Sequence, residues 1–295
     1  MLLRATHTTQ YLYSDPVSIC HTEVHLAPRD TLRQHVYEHH LEISPPPDLL
    51  HVHDDYFGNP VTIFSLHEPH ETLTITASSV VELPGLEPPN PALTLAWDLA
   101  RDEVRKQETP ETFDAFAYVF ESPRVPIGRE FAGWATPSFP PGRPIFEAAA
   151  DLSSRIFKEF HYDQRATTVT TPVAEVMKKK RGVCQDFAHF MISCLRSLGL
   201  PARYVSGYLR SSPETKGAEA SHAWVSIYCP DFGWLDLDPT NNAIPRQSHV
   251  TVGWGRDYGD VTPVRGVALG GGEQMIAVSV EVVPVEETDF PAPDE

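Results

Sequence analysis

The 295-residue chain is poor in cysteine, with four, and poor in basic residues: 23 Lys plus Arg face 40 Asp plus Glu, a formal net charge of −17. Cys20, Cys184, Cys194 and Cys229 include no Cys-x-x-Cys pair, so neither a thiolate zinc site nor a thioredoxin-type pair is supported. So few cysteines exclude a disulfide framework and fit a reducing compartment. An acidic surface repels phosphate, which argues against nucleic acid as the main partner. The sequence has no run of about 18 apolar residues able to cross a membrane as a helix, and Met1–Tyr13 lacks the apolar stretch of a secretion signal. The expectation is a cytoplasmic protein with no membrane partner. What the chain does contain is core material, 41% hydrophobic residues, and many turn-formers, 28 prolines.

Residues 1–85 read as β. Alternating segments at Leu2–Tyr13, Ser18–Ala27, Gln34–Ile43, Val61–Leu66 and Leu73–Val81 are separated by turn clusters such as Ser14-Asp15-Pro16 and Gly58-Asn59-Pro60. This spacing predicts a small antiparallel sandwich. Leu83–Pro91, with four prolines, reads as a linker, and 86–295 as a second domain. There the period becomes helical around Leu93–Val104, Thr109–Phe120, Pro144–Phe160, Pro172–Lys180 and Cys184–Gly199. Residues 121–142 read as a Pro/Gly-rich loop whose Phe131, Trp134 and Phe139 pack somewhere. Ala202–Leu209, Ala220–Cys229 and Gly233–Leu237 read as strands. Gly270-Gly271-Gly272 reads as a hairpin turn before a last strand to 283, followed by an acidic, frayed tail.

Three residues in this second domain carry chemistry. Cys184 opens an amphipathic helix, where the dipole and the unpaired N–H groups stabilise a thiolate. Gly182 lets the backbone turn sharply into that helix. His222 begins a strand in which His222, Trp224, Ser226 and Tyr228 share one face, while Ala223, Val225 and Ile227 face a core. Asp238 ends the next strand, and the short turn 230–232 makes the two strands antiparallel neighbours. A thiol needs a base to take its proton, and that base needs a carboxylate to fix its tautomer. Asp236 shares a face with Asp238 and is an alternative acid. Cys194 and Cys229 read as core residues. His51-x-His53 reads as a solvated strand end, with metal binding as the alternative.

Gly182-Val183-Cys184-Gln185-Asp186-Phe187-Ala188, Ser221-His222-Ala223-Trp224-Val225 and Gly233-Trp234-Leu235-Asp236-Leu237-Asp238-Pro239-Thr240-Asn241 closely resemble the bacterial transglutaminase-like superfamily. Leu26-x-Pro28-Arg29 and Asp55-x-Phe57-Gly58-Asn59 resemble its N-terminal β domain, and Gly255-Arg256-Asp257-Tyr258-x-Asp260 its C-terminal signature. The resemblance implies an α+β fold: a papain-like core, with the cysteine helix packed on an antiparallel sheet, behind a small β-sandwich-like domain. It implies Cys184 as nucleophile, His222 as general base and acid, and Asp238 as orienter. The backbone N–H of Cys184 would stabilise the oxyanion. Tyr162 is a candidate second donor, with core packing as its alternative. Gln185 and Trp224 are candidates to line the cleft. Arg256 and Asp257 either border it or form a salt-bridged loop. No cofactor or metal is implied. The expected substrate is a peptide or protein amide, hydrolysed by a cysteine peptidase or amidase, or transferred to an amine by a transglutaminase. A binding module that has lost catalysis is the reading from another class. The oligomeric state stays open.

Overall fold

A computed structural model describes residues 1–210, 216–217 and 220–285. The acidic tail lies outside the described residues. The chain runs β1 (Leu2–Val24), β2 (His35–Ser44), β3 (Leu49–Asp54), β4 (Pro60–Leu66) and β5 (His70–Glu82), then α1 (Trp97–Lys106), α2 (Pro110–Phe116), α3 (Arg129–Ala135) and α4 (Ile145–Glu159). The short β6 (His161–Tyr162), α5 (Val173–Lys179), β7 (Arg181–Gly182) and α6 (Cys184–Ser197) follow. The chain then forms β8 (Ala202–Leu209), β9 (His222–Cys229), β10 (Gly233–Leu237), β11 (His249–Gly255), β12 (Val264–Gly270) and β13 (Gln274–Pro284).

In the first sheet β1 is one long strand where two were expected. Ser14-Asp15-Pro16 does not turn the chain; it is an irregularity at which β1 changes partners. Residues 2–12 pair with β5, and 20–24 pair with β4. Ile43, Leu73 and Ile75 of one half share a buried cluster with Val24, Phe64 and Leu66 of the other, the core of a β-rich N-terminal domain. β3, read in the sequence only as a strand end at His51-x-His53, continues the sheet beyond β4.

The end of the chain also differs from expectation. β12 and β13 run in line along the outer edge of β1, from Val24↔Val264 to Leu3↔Pro284. The three glycines between them are therefore not a hairpin turn. All three have positive φ, and Gly272 passes so close to Ser14 and Asp15 that a Cβ would overlap their side chains. They follow the irregularity of β1. This pairing crosses the expected boundary between 85 and 86.

The second sheet has the order β10-β9-β8-β11, all antiparallel. α6 packs on β8 and β9 through Phe187, Met191 and Leu195. Gly199, at φ +78°, ends α6 in the left-handed region, as its position predicts. α4 and α5 surround α6, as does α3, which the sequence reading took for loop. That helix is only seven residues long, between Gly128 and Pro137, too short for its periodicity to stand out. Its Phe131, with Trp134 and Phe139, packs into the core around α6.

The two sheets are joined side by side. Gln34 accepts from the Thr251 N–H at 2.8 Å and donates to the Thr251 carbonyl at 2.7 Å. Asn59 does the same to Trp254, accepting at 3.0 Å and donating at 2.9 Å. Two side-chain amides thus stand in for a neighbouring strand on β11. Arg29 holds Asn59 at 2.6 Å and lies 3.5 Å over the Trp254 ring. The motifs around Arg29 and Asn59 are therefore a clamp between sheets.

Candidate active site

Cys184 is the first residue of α6 and is buried. The helix start is fixed by Asp186, whose carboxylate accepts from the Val183 N–H at 2.8 Å and from the Thr167 hydroxyl at 2.6 Å. Gly182 has no positive φ. It is required for a different reason than the sharp turn expected: a Cβ there would overlap the Asp186 carboxylate. Burial raises the Asp186 carboxyl above the usual range, against the lowering effect of those two bonds.

Cys184 and His222 line one cavity of about 310 Å³. His222 donates from Nε2 to Asp238 Oδ2 at 2.9 Å, with both residues buried. Its Nδ1 is buried and has no hydrogen-bond partner among the described residues, so this is the nitrogen left for the thiol. Burial would lower the imidazole's affinity for a proton. The Asp238 carboxylate, and next the Cys184 thiolate, outweigh burial and push His222 up to about 10. Burial would raise Asp238, but His222 and His249 hold it well below the usual carboxylate range. Asp236, the alternative acid, lies on the outer face of the sheet and pairs in register with Ser226.

Two residues given no role in the sequence reading complete this network. His249 Nε2 reaches the same Asp238 oxygen at 3.2 Å, and Asn241 Nδ2 donates to it at 2.8 Å. The other oxygen accepts from the Thr240 and Asn241 N–H groups at 2.8 and 3.3 Å. His249 arrives only through the pairing of β11 with β8, so nothing local in the sequence signals it. His222, Asp238 and His249 offer donor atoms within 4.8 Å of one another, close enough for a metal ion. Hydrogen bonds among them already use the same atoms, with the His222 Nε2 protonated toward Asp238.

The remaining expected site residues divide. Tyr162 lines the cavity, brought there by β6 pairing in parallel with β7, two residues before Cys184. Gln185 lines it too. Trp224 does not. It is fully buried behind the histidines, 6.2 Å from His222 and edge-on to His249 at 5.2 Å. It fits there because Gly207 on the next strand leaves room: a Cβ would meet the indole. Arg256 points away from the cavity to Asp260, at 2.9 Å, in an exposed loop. Asp257 is buried and accepts from the Arg124 and Gly259 N–H groups, so it shapes the loop and does not line the cavity. That loop sends Tyr258 to the cavity wall, opposite Tyr204. Burial raises both phenols, which stay neutral hydroxyls.

Comparisons with known proteins give the chain a family and a fold. Residues 3–82 match the bacterial transglutaminase-like N-terminal region, and 133–239 match the transglutaminase-like superfamily. The Mycobacterium tuberculosis protein Rv2569c is 42% identical over 306 residues, which cover 96% of this chain and 93% of that one. The chain belongs to the transglutaminase-like superfamily. A second superfamily relative, ML0607 of Mycobacterium leprae, is 35% identical, covering 95% of this chain and 98% of that protein. A crystal structure from Cytophaga hutchinsonii, named as a candidate cysteine protease, aligns with a TM-score of 0.74 at 19% identity, covering 99% of this chain and 92% of that one. It shares the α+β fold, a transglutaminase-like core with a β-rich N-terminal domain. Among the described residues no helix is long and apolar enough to cross a membrane.

Proposed function

We propose that this superfamily member is a thiol enzyme acting on amides. The observation that carries the reading is the orientation of His222: Nε2 is committed to Asp238, and Nδ1 is left for Cys184. The Cys184 thiolate attacks an amide carbonyl, forming a C–S bond. The oxyanion is received by the Cys184 N–H and the Tyr162 hydroxyl. His222, carrying the thiol's proton, gives it to the leaving nitrogen as the C–N bond breaks. His222 then takes a proton from the second nucleophile as it attacks the thioester, and the C–S bond breaks to return the Cys184 thiolate. Water as that nucleophile makes the protein a cysteine peptidase or amidase, which is the reading preferred here. A primary amine makes it a transglutaminase. That second reading is favoured by a 109-residue match, at 28% identity, to a Pseudomonas aeruginosa protein-glutamine gamma-glutamyltransferase, covering 32% of this chain and 16% of that protein.

The test is alkylation by iodoacetamide, assigned by peptide mass spectrometry. Burial raises Cys20, Cys194 and Cys229 and holds them as thiols. Cys184 should react first at neutral pH, and His222→Ala should slow it roughly tenfold or more. Equal reactivity of the four cysteines, or no effect of the histidine, would overturn the proposal. Product analysis on a glutamine peptide, with and without a fluorescent primary amine, separates the two readings: hydrolysis releases acid, transfer incorporates the amine.

A further inference from the structure

The back of the catalytic sheet holds a second cavity, of about 490 Å³, between the sheet and the 31–34 loop of the N-terminal domain. It is separate from the cysteine cavity, because Arg203 and Val205 face it while Tyr204 and Ser206 face the thiol. Its size suits a small molecule.

Its chemistry is unusual for a chain of net charge −17. Arg203 sits between two indoles, 3.8 Å from the Trp254 centroid and 4.3 Å from the Trp234 centroid. Its Nε is buried without a hydrogen-bond partner, and the nearby Asp236 carboxylate only partly offsets the burial of the charge. A guanidinium packed against two indoles is left with its in-plane N–H groups, which take a carboxylate with two parallel bonds. Arg33 and Arg246 add charge at the rim, with Arg246 partly offset by Glu87 at 2.9 Å. Among the described residues Asp236 is the one carboxylate on the wall. The Nε left without an acceptor costs stability that a bound anion would return.

We propose that this cavity binds a small planar carboxylate, with the carboxylate on Arg203 and the flat body against Leu32, Leu86 and Phe232 of the cavity wall. The site also has a route to the thiol. His249 lines this cavity and shares Asp238 Oδ2 with His222. A ligand that draws on His249 changes how firmly Asp238 holds His222. This second half rests on the role of His222 given above; the binding half does not.

The probe is 2-naphthoate, titrated by calorimetry into the full chain, with neutral 2-naphthamide as control. Expected are one saturable site, unchanged in Cys184→Ser, and binding of the amide at least about tenfold weaker, the loss of one strong charged contact. Arg203→Met should abolish binding. Should that variant fail to fold, Arg246→Gln at the exposed rim should weaken affinity about threefold with an unchanged melting temperature. Absence of saturable binding, equal binding of the amide, or loss of binding in Cys184→Ser would overturn the site. With 2-naphthoate bound, the alkylation rate of Cys184 should change in wild type and stay constant in His249→Gln. Binding with no change of rate in wild type would overturn the coupling and leave the site standing. If Cys184 shows no enhanced alkylation even without ligand, the functional reading fails while calorimetry still decides the site.

Discussion

At the scale of single residues, two buried histidines are driven in opposite directions. His222 is pushed up to about 10 because a carboxylate and a thiolate outweigh its burial. His189 is pushed down to about 3, chiefly by burial, and its neutral Nε2 accepts the Tyr258 N–H at 3.1 Å. The sign of each effect on stability follows. The contribution of His222 is complete below the unfolded value of about 6.5 and fades as pH rises through about 10. That of His189 is complete above about 6.5 and fades as pH falls through about 3. Nitrogen-15 NMR of the histidines should find His222 doubly protonated and His189 neutral at pH 7. Asp238→Asn should bring the His222 midpoint down by at least about 2 units and leave His189 unmoved. At this scale the sequence was partly legible. Cys184, His222 and Asp238 stand at element ends, where local pattern identifies them. His249 and Asn241 owe their places to tertiary pairing and to a turn, and Trp224 was assigned its correct face of the strand but the wrong neighbours.

At the scale of elements, α6 is held at its two ends by different glycines. Gly182 leaves space for the carboxylate that satisfies the first turn, and Gly199 supplies the left-handed residue that ends the last. Gly182→Ala should cost about 1–3 kcal/mol from overpacking and slow Cys184 alkylation, because the displaced carboxylate fixes the start of the helix that carries the thiol. Gly199→Ala should cost about 1 kcal/mol through strain at positive φ and leave alkylation unchanged. Denaturant unfolding with parallel alkylation measures both. The long periodic elements, α4, α6, β8 and β9, were readable because burial on one face writes the period into the sequence. The elements that were not readable lacked that record. α3 is two turns long, and β3 is exposed on both faces, so its residues carry no alternation.

At the scale of the whole molecule, the side-chain amides of Gln34 and Asn59 carry the junction between the sheets. Asn59→Ala leaves the N–H and C=O of Trp254 unpaired at a buried edge, which should cost roughly 1–3 kcal/mol. Thermal unfolding should show a single lowered midpoint. The sequence reading placed a domain division at the prolines of 83–91, and the return of the last strands to the first sheet left no local signal in it. That return has a consequence for synthesis on the ribosome. Residues 2–24 pair along one edge with 264–284, so that edge stays open until nearly the whole chain has emerged. The nascent N-terminal sheet therefore waits, with its middle strand half-paired, while the α6 core can already form. A released chain lacking the last strands would keep that edge bare and be prone to adding strands from its neighbours.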